Sequence, residues 1–237
     1  WHGRNFTKPL ATTRDFIEIF RAAISGQKVS IETETLRTNN FRLAIDPEAE
    51  LPIWLAAIND RMLRLAGAIA DGVFLTWCPP TEVQQKVDLV RAGAIEAGRD
   101  PSDIEVVLSF WGFEGNDDDV SIVRERCRRS VLAYAMVPTH QSAFLHAFPT
   151  LTEAAAAWDL GDRKKALDLT GDDVLEAMCP IGPPGVVSDR VHQYVAAGVD
   201  LPVVFLVGPG RSGPEPALQT MRSTAAALAL TSDTSAS

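Results

Sequence analysis

The chain has 237 residues, of which 46% are hydrophobic, and this is enough for one sizeable core. Acidic residues outnumber basic residues by 31 to 22, and the resulting net charge of −9 argues against nucleic acid or an anionic membrane as a partner. Because the three cysteines form no C-x-x-C pair and no apolar run reaches the ~18 residues of a membrane span, we expect a cytoplasmic protein without a disulfide framework or metal site.

The first third of the chain predicts a helix, a polar excursion and a strand-helix-strand unit. Residues 14–26 have helical apolar spacing, and residues 29–43 are Thr-rich with the alternation of a short hairpin. A strand over 52–58, a helix over 60–70 and a strand over 72–77 then follow. The predicted buried face of the first helix consists of Phe16, Ile17, Phe20, Ala23 and Ile24.

The rest of the chain continues this alternation. Thr81-x-x-Gln84 is a capping-box pattern that predicts the start of the next helix. The apolar run "PVVFLV" is typical of a strand buried on both faces. The remaining predictions are a helix over 81–97, a strand over 104–113, a helix over 117–136, short helices within 139–180, a helix over 187–197, a strand over 201–207, a helix over 214–230 and a disordered tail over 231–237.

Four apolar strands, each followed by a helix, indicate an α/β fold with a mostly parallel sheet. The periodicity does not distinguish between an open doubly wound sheet and a β/α barrel. In either architecture the functional residues lie where strands end and helices begin.

The predicted strand ends carry few acids and bases. Asp60 and Glu114 are the only carboxylates there, and Asp60 has a simpler interpretation as a helix cap. A cofactor-free isomerase or lyase would need a general base at this position and is therefore the least favoured hypothesis. A cofactor that carries the reactive atom needs walls and orientation more than acids and bases, so the sequence favours a cofactor-driven reaction.

Two turns are candidates for binding an anion. The helix that starts near Asp60 would present the backbone N–H groups of Asp60, Arg61 and Met62, with the Arg61 guanidinium as a further partner. An ordinary capped helix with a solvated Arg61 is equally compatible with these residues. "GPGRSG" at 208–213 matches a glycine fingerprint, but no second strand follows it, so a plain turn is favoured over a phosphate contact.

Aromatic side chains near the strand ends are candidates for contact with a flat ring. Trp77 and Trp111 stand at such positions, although burial in the core is the commoner fate of large aromatics. His2 is the one histidine in a loop setting that could face a ligand, and the other histidines lack metal-ligand spacing.

Four stretches together resemble the luciferase-like monooxygenase superfamily. They look most like its deazaflavin-dependent branch, the oxidoreductases similar to methylenetetrahydromethanopterin reductase. The stretches are "WHGRNFTKPLATTRDFIEIFRA" at 1–22, "PIWLAAINDRMLRLAGAIADGVFLTW" at 52–77, "LAYAMVPTHQSAF" at 132–144 and "AAGVDLPVV" at 196–204.

The resemblance implies a TIM-like (β/α) barrel, with this chain carrying roughly strands 5 to 8 and their helices as one partial domain over residues 1–230. It implies coenzyme F420, or FMN in sister branches, and hydride transfer between that cofactor and a small organic substrate. The cofactor's phosphate region would contact the turn after the fifth strand. His2, Trp77 and Trp111, named above from their positions, are our candidates for the substrate side. That turn consists here of Ala57, Ile58, Asn59, Asp60, Arg61 and Met62.

The chain departs from the family pattern at several points. Asn59-Asp60 stands where relatives usually have Gly-Pro, and His140 stands where they often have Tyr.

The "WHG" motif follows the fourth strand in the family, so we expect either a longer enzyme or a half-barrel completed by another chain or a second copy. No catalytic side chain is assigned, because the family's polar partners are expected upstream of Trp1. The alternative to an oxidoreductase is a degenerate flavoprotein-like module that binds a ligand or a partner without turnover.

Overall fold

The computed structural model describes residues 7–45, 51–210 and 213–229. Helices and strands alternate along much of the chain, and the α/β fold with a parallel sheet is confirmed. The strands are β1 (Trp54–Ala56), β2 (Gly72–Thr76), β3 (Glu105–Glu114), β4 (Ile181–Gly182) and β5 (Leu201–Leu206). The helices are α1 (Pro9–Ile24), α2 (Asp60–Ile69), α3 (Pro80–Glu96), α4 (Asp117–Ala135), α5 (Gln141–Ala147), α6 (Leu151–Asp159), α7 (Arg163–Asp168), α8 (Asp172–Met178), α9 (Val186–Ala196) and α10 (Glu215–Ala227), with a 3-10 turn at Pro101–Asp103.

The described residues form two compact units. The first unit contains those up to Val73 together with Asp88–Glu105, and the second contains Phe74–Val87 together with those from Val106 onward. The sheet order is β1-β2-β3-β4, and β5 also pairs with β3.

In the first unit, glycines let α2 approach α3 closely. A Cβ atom on Gly67 would lie 1.9 Å from the Val90 carbonyl oxygen, and one on Gly93 would lie 2.0 Å from the Arg64 carbonyl oxygen. Arg99 then closes the carboxyl end of α2, because its Nη1 donates to the carbonyls of Gly67 and Ala70 at 2.7 Å each. The two helices are therefore fixed backbone against backbone.

In the second unit, β3 is the central strand. It runs parallel to β5, with Val107 beside Leu201 and Gly112 beside Leu206, and its last two residues pair with β4. Helices α4, α6 and α8 contribute the main apolar cluster that packs on Phe113. The long α4 begins as predicted after its acidic residues, because the Asn116 side chain accepts a hydrogen bond from the Asp119 N–H.

Several local predictions are wrong. Helix α1 begins at Pro9, where proline suits the first turn, rather than at residue 14. Phe16 and Phe20 stack on its solvent side with 57% and 37% exposure, so they do not belong to the buried face. Helix α3 begins at Pro80, which places Thr81 inside the first turn instead of at the cap. The strand predicted over 52–58 shortens to β1.

Strand β5 also differs from its prediction. Leu201 and Phe205 are 48% and 50% exposed, and the other four residues of β5 are only half-buried. Among the described residues, β3 is its only strand partner, so one edge of β5 remains unpaired. Every helix in the described ranges falls short of the length or apolar character that a bilayer span requires.

Candidate functional site

The amino end of α2 offers two unused backbone donors. Asn59 is the N-cap in an extended conformation (φ −90°, ψ 147°), and its side chain makes no capping bond to the helix. Its carbonyl accepts from the N–H of Met62 at 2.9 Å and of Leu63 at 3.0 Å. Within the described ranges, the N–H groups of Asp60 and Arg61 have no hydrogen-bond acceptor. These two groups carry the positive end of the helix dipole.

Two predictions about this turn are wrong. Met62 was expected to present a free N–H, but the tightened first turn directs that group to the Asn59 carbonyl. Asp60 was expected to cap the helix, but Asn59 occupies the cap and Asp60 is the first helical residue, with an exposed carboxylate. The site therefore offers two free backbone N–H groups instead of the three that the sequence predicts, and the negative charge of Asp60 lies beside them.

The side chains of the turn point in different directions. Ala57 is buried and Ile58 is half-buried, so the approach to the helix is apolar. Arg61 is exposed and lines a groove together with Arg14 and Arg64. Its guanidinium has no ion-pair partner among the described residues.

Aromatic rings meet at the carboxyl ends of β2 and β3. The rings of Trp77 and Trp111 are 5.0 Å apart, and Tyr134 lies 5.6 Å from Trp77. Trp77 has φ +50°, a left-handed conformation that is costly for a large side chain and that often marks functional sites. The structure thus brings together two of the three candidates for the substrate side. His2 lies outside the described residues.

Buried hydrogen bonds hold the turn that carries Trp77. The hydroxyl of Tyr194 in α9 donates to the Cys78 carbonyl at 2.9 Å, and burial raises the pKa of Tyr194 to about 12. The Ser109 hydroxyl donates to Thr76 Oγ1 at 3.1 Å, one residue before Trp77. The phenol therefore stays neutral near pH 7 and serves to position this turn.

Sequence reasoning missed one part of this aromatic cluster. The Tyr134 ring stacks on the His140 ring with centroids 4.3 Å apart and planes inclined by 28°. The only sequence signal at His140 is its place in the stretch 132–144, where relatives of the family often have Tyr. Helix α4 ends at Ala135, and the turn that follows brings the two rings back together.

Glu114 was the other acid at a strand end, and the structure gives it a structural role. Its buried carboxylate accepts from the N–H groups of Gly185 at 2.9 Å and Val187 at 3.1 Å, at the start of α9. Its second oxygen accepts from the Ser223 hydroxyl in α10. Because both oxygens are occupied, Glu114 is poorly placed to act as a general base.

The glycine-rich loop at 208–213 contributes little to a site. The Gly208 carbonyl accepts a hydrogen bond from Arg126, and residues 211–212 lie outside the described part of the chain. Gly210 and Gly213 have positive φ values of 78° and 69°, as tight turns require. No group of His, Cys, Asp or Glu within the described ranges is arranged to hold a metal ion.

Comparison with known proteins adds independent information. A family model described as luciferase-like monooxygenase matches residues 1–201. The 5,10-methylenetetrahydromethanopterin reductase of Methanolobus tindarius is 32% identical over 104 residues, which are 44% of this chain and 32% of that protein. The enzyme of the same name from Methanopyrus kandleri is 26% identical over 201 residues, which cover 83% of this chain and 57% of that protein.

A solved structure agrees with these matches. The coenzyme F420 dependent tetrahydromethanopterin reductase from Methanopyrus kandleri superposes with a TM-score of 0.69 at 25% identity, over 86% of this chain and 59% of that one. The chain thus spans less than two thirds of the length of each of these proteins.

Proposed function

Because the chain belongs to the luciferase-like monooxygenase family, we propose that it is part of an oxidoreductase that binds coenzyme F420, with FMN as the alternative. The substrate is a small organic molecule. In the finer fold assignment, β1, β2, β3 and β5 correspond to strands 5 to 8 of a TIM-like barrel. The enzyme works in the cytoplasm as a homo-oligomer or with a second chain beside β5.

The observation that carries this proposal is the pair of unused N–H groups at Asp60 and Arg61. A phosphate group is the ligand that a helix amino end binds best, because the backbone donors and the helix dipole act together. The similarity to the coenzyme F420 dependent reductase named above covers 86% of this chain, which supports a phosphate-bearing cofactor. The apolar Ala57 and Ile58 exclude water on the strand side of the turn.

In the second unit, the tilted rings of Trp77 and Trp111 supply an apolar aromatic surface for the organic substrate. The bound deazaflavin or flavin would supply the hydride chemistry. The residues of this chain bind and orient, and Tyr194 keeps the Trp77 turn in its strained conformation through the Cys78 carbonyl. No side chain of the described part is assigned as an acid or base.

The test is a fluorescence and calorimetric titration of the chain with F420 and, in parallel, with FMN. We expect saturable binding of F420 and at least about tenfold weaker binding in the double variant Asn59→Ala/Arg61→Gln, since an arginine-phosphate pair is lost. Arg91→Gln is the matched control, because Arg91 is an exposed arginine of α3 outside this turn. Unchanged affinity in the double variant would refute the phosphate assignment.

A second candidate function is that of a degenerate module that binds a ligand or a partner but catalyses no reaction. The exposed Asp60 carboxylate favours it, because a negative charge at the helix amino end weakens the binding of a phosphate. Oxidation of reduced F420 by the purified chain, measured over a panel of carbonyl substrates, separates the two functions. Turnover above background excludes the second candidate.

A further inference from the structure

Three helices of the first unit line an open groove of about 360 Å³ that the cofactor proposal does not use as a whole. Arg14 of α1 and Arg61 and Arg64 of α2 line it, with Glu96 of α3 opposite. Leu10 and Leu65 make its apolar part. We call it the arginine groove. Its volume falls in the range of ~300–1,000 Å³ that is usual for small-molecule sites.

The charges of the arginine groove do not cancel. Arg64 and Glu96 form an ion pair with a distance of 2.6 Å between Nη1 and Oε1. Neither Arg14 nor Arg61 forms an ion pair with any described residue, although Arg14 lies near enough to Asp15 to help lower the pKa of that carboxyl, after the hydrogen bonds from Thr35 and Thr33. The groove thus holds two guanidinium groups that have no ion-pair partner among the described residues, in a chain of net charge −9.

The walls of the arginine groove are closely packed. Gly93 lies in the wall and directly against the Arg64 backbone, where a Cβ atom would be 2.0 Å from the carbonyl oxygen. The Arg99 side chain fixes the far end of α2 through the Gly67 and Ala70 carbonyls. Because close packing limits how much the walls must be ordered on binding, it favours a defined ligand over diffuse attraction of ions.

We infer that the arginine groove binds a phosphomonoester with an apolar body. Near pH 7 a phosphomonoester carries close to two negative charges, which suits two arginines without a described ion-pair partner, and its oxygens suit the forked donors of guanidinium. The apolar body then packs on Leu10 and Leu65. This inference stands on α1, α2 and α3 together and holds whether or not the chain binds F420.

The experiment is calorimetric titration of the chain with n-hexyl phosphate, inorganic phosphate and hexanoate. We expect n-hexyl phosphate to bind saturably and more tightly than the other two, because only it offers both the charge and the apolar body. Arg14→Gln should weaken this binding by at least about tenfold, since one charged pair is lost. Arg91→Gln, an exposed arginine of α3 outside the groove, should change it less than about twofold.

Three outcomes overturn the inference. The first is an absence of saturable binding, and the second is an affinity of Arg14→Gln for n-hexyl phosphate equal to that of the parent chain. The third is a loss of affinity in the single variant Asn59→Ala, measured alongside, that Arg14→Gln does not show. The last outcome assigns the ligand to the amino end of α2 instead. Titration of Arg14→Gln with F420 separates this inference from the proposed function, because Arg14 has no part in the cofactor turn.

Discussion

At the scale of single residues, Asp60 has the clearest effect on the candidate site. Its carboxylate is exposed at the first position of α2, beside the two unused N–H groups. A negative side chain there stabilises the helix through the dipole, but it competes with an incoming anion for the same donors. The same residue therefore favours folding of α2 and disfavours binding of a phosphate.

This conflict makes a prediction for Asp60→Asn. We expect the variant to bind F420 about two- to fivefold more tightly, since one charge at a helix end contributes roughly 0.3–1 kcal/mol, and to lose a few tenths of a kcal/mol of stability. Fluorescence titration and urea unfolding measure the two effects. Asp103→Asn is the control, because Asp103 is an exposed acid of the first unit outside the turn. Weaker binding in Asp60→Asn would mean that the carboxylate helps the site.

At the scale of elements, an ion-pair network joins α4 to α8. Asp172, in the first turn of α8, accepts from Arg124 Nη2 at 2.8 Å and from Arg128 Nη2 at 2.5 Å. Arg124 also pairs with Glu176 one turn later, at 3.0 Å. The hydrogen bonds from Arg128 and then Arg124 lower the pKa of Asp172 below its ordinary value of 3.8. The network therefore depends on an ionised Asp172.

The sign of the pH dependence follows from this lowered pKa. The stability that the pairing contributes is fully present above the unfolded pKa of 3.8 and is lost as the pH falls toward the lower folded pKa. We expect Asp172→Asn to lower the thermal midpoint at pH 7 and to differ less from the parent chain at pH 3. The effect is small, about 0.5 kcal/mol, because the Asp172 carboxylate is largely exposed.

Thermal unfolding followed by circular dichroism at both pH values tests this expectation. Asp168→Asn is the matched control, since Asp168 is an exposed acid without an ion pair among the described residues. If Asp172→Asn differed from the parent chain equally at pH 7 and pH 3, the lowered pKa would not be the source of the stabilisation.

At the scale of the whole molecule, the exposed side of β5 is the main unsatisfied feature of the described chain. Leu201 and Phe205 stand half-exposed beside a strand edge that has no partner among the described residues. An open apolar edge favours pairing with another strand. This agrees with the proposal that a second chain or copy covers β5.

A single charge on this edge tests that proposal. We expect Phe205→Lys to shift the purified chain toward the monomer in sedimentation velocity, because lysine on an edge strand opposes strand pairing. Leu160→Lys is the control, since Leu160 is 88% exposed at the end of α6, away from any strand. A parent chain that sediments as a monomer at all concentrations would contradict the expectation.

How far the sequence predicts this protein depends on the range of the interactions involved. The βαβ unit around α2, the acidic start of α4 and the short helices after it follow from periodicity, caps and breakers, which act within a few residues. The same local signals fail at β5, because its exposure depends on which strands lie beside it. They fail also at Phe16 and Phe20, whose spacing is helical but whose side of α1 faces solvent.

The sequence by itself determined the alternation of strands and helices and, through its resemblance, the family. Only the tertiary structure decided that the Glu114 carboxylate is held by α9 and α10, and that Trp77 meets Trp111 and Tyr134. The physical reason is distance along the chain. Ser223 lies more than 100 residues from Glu114, and their meeting depends on strand register and helix packing.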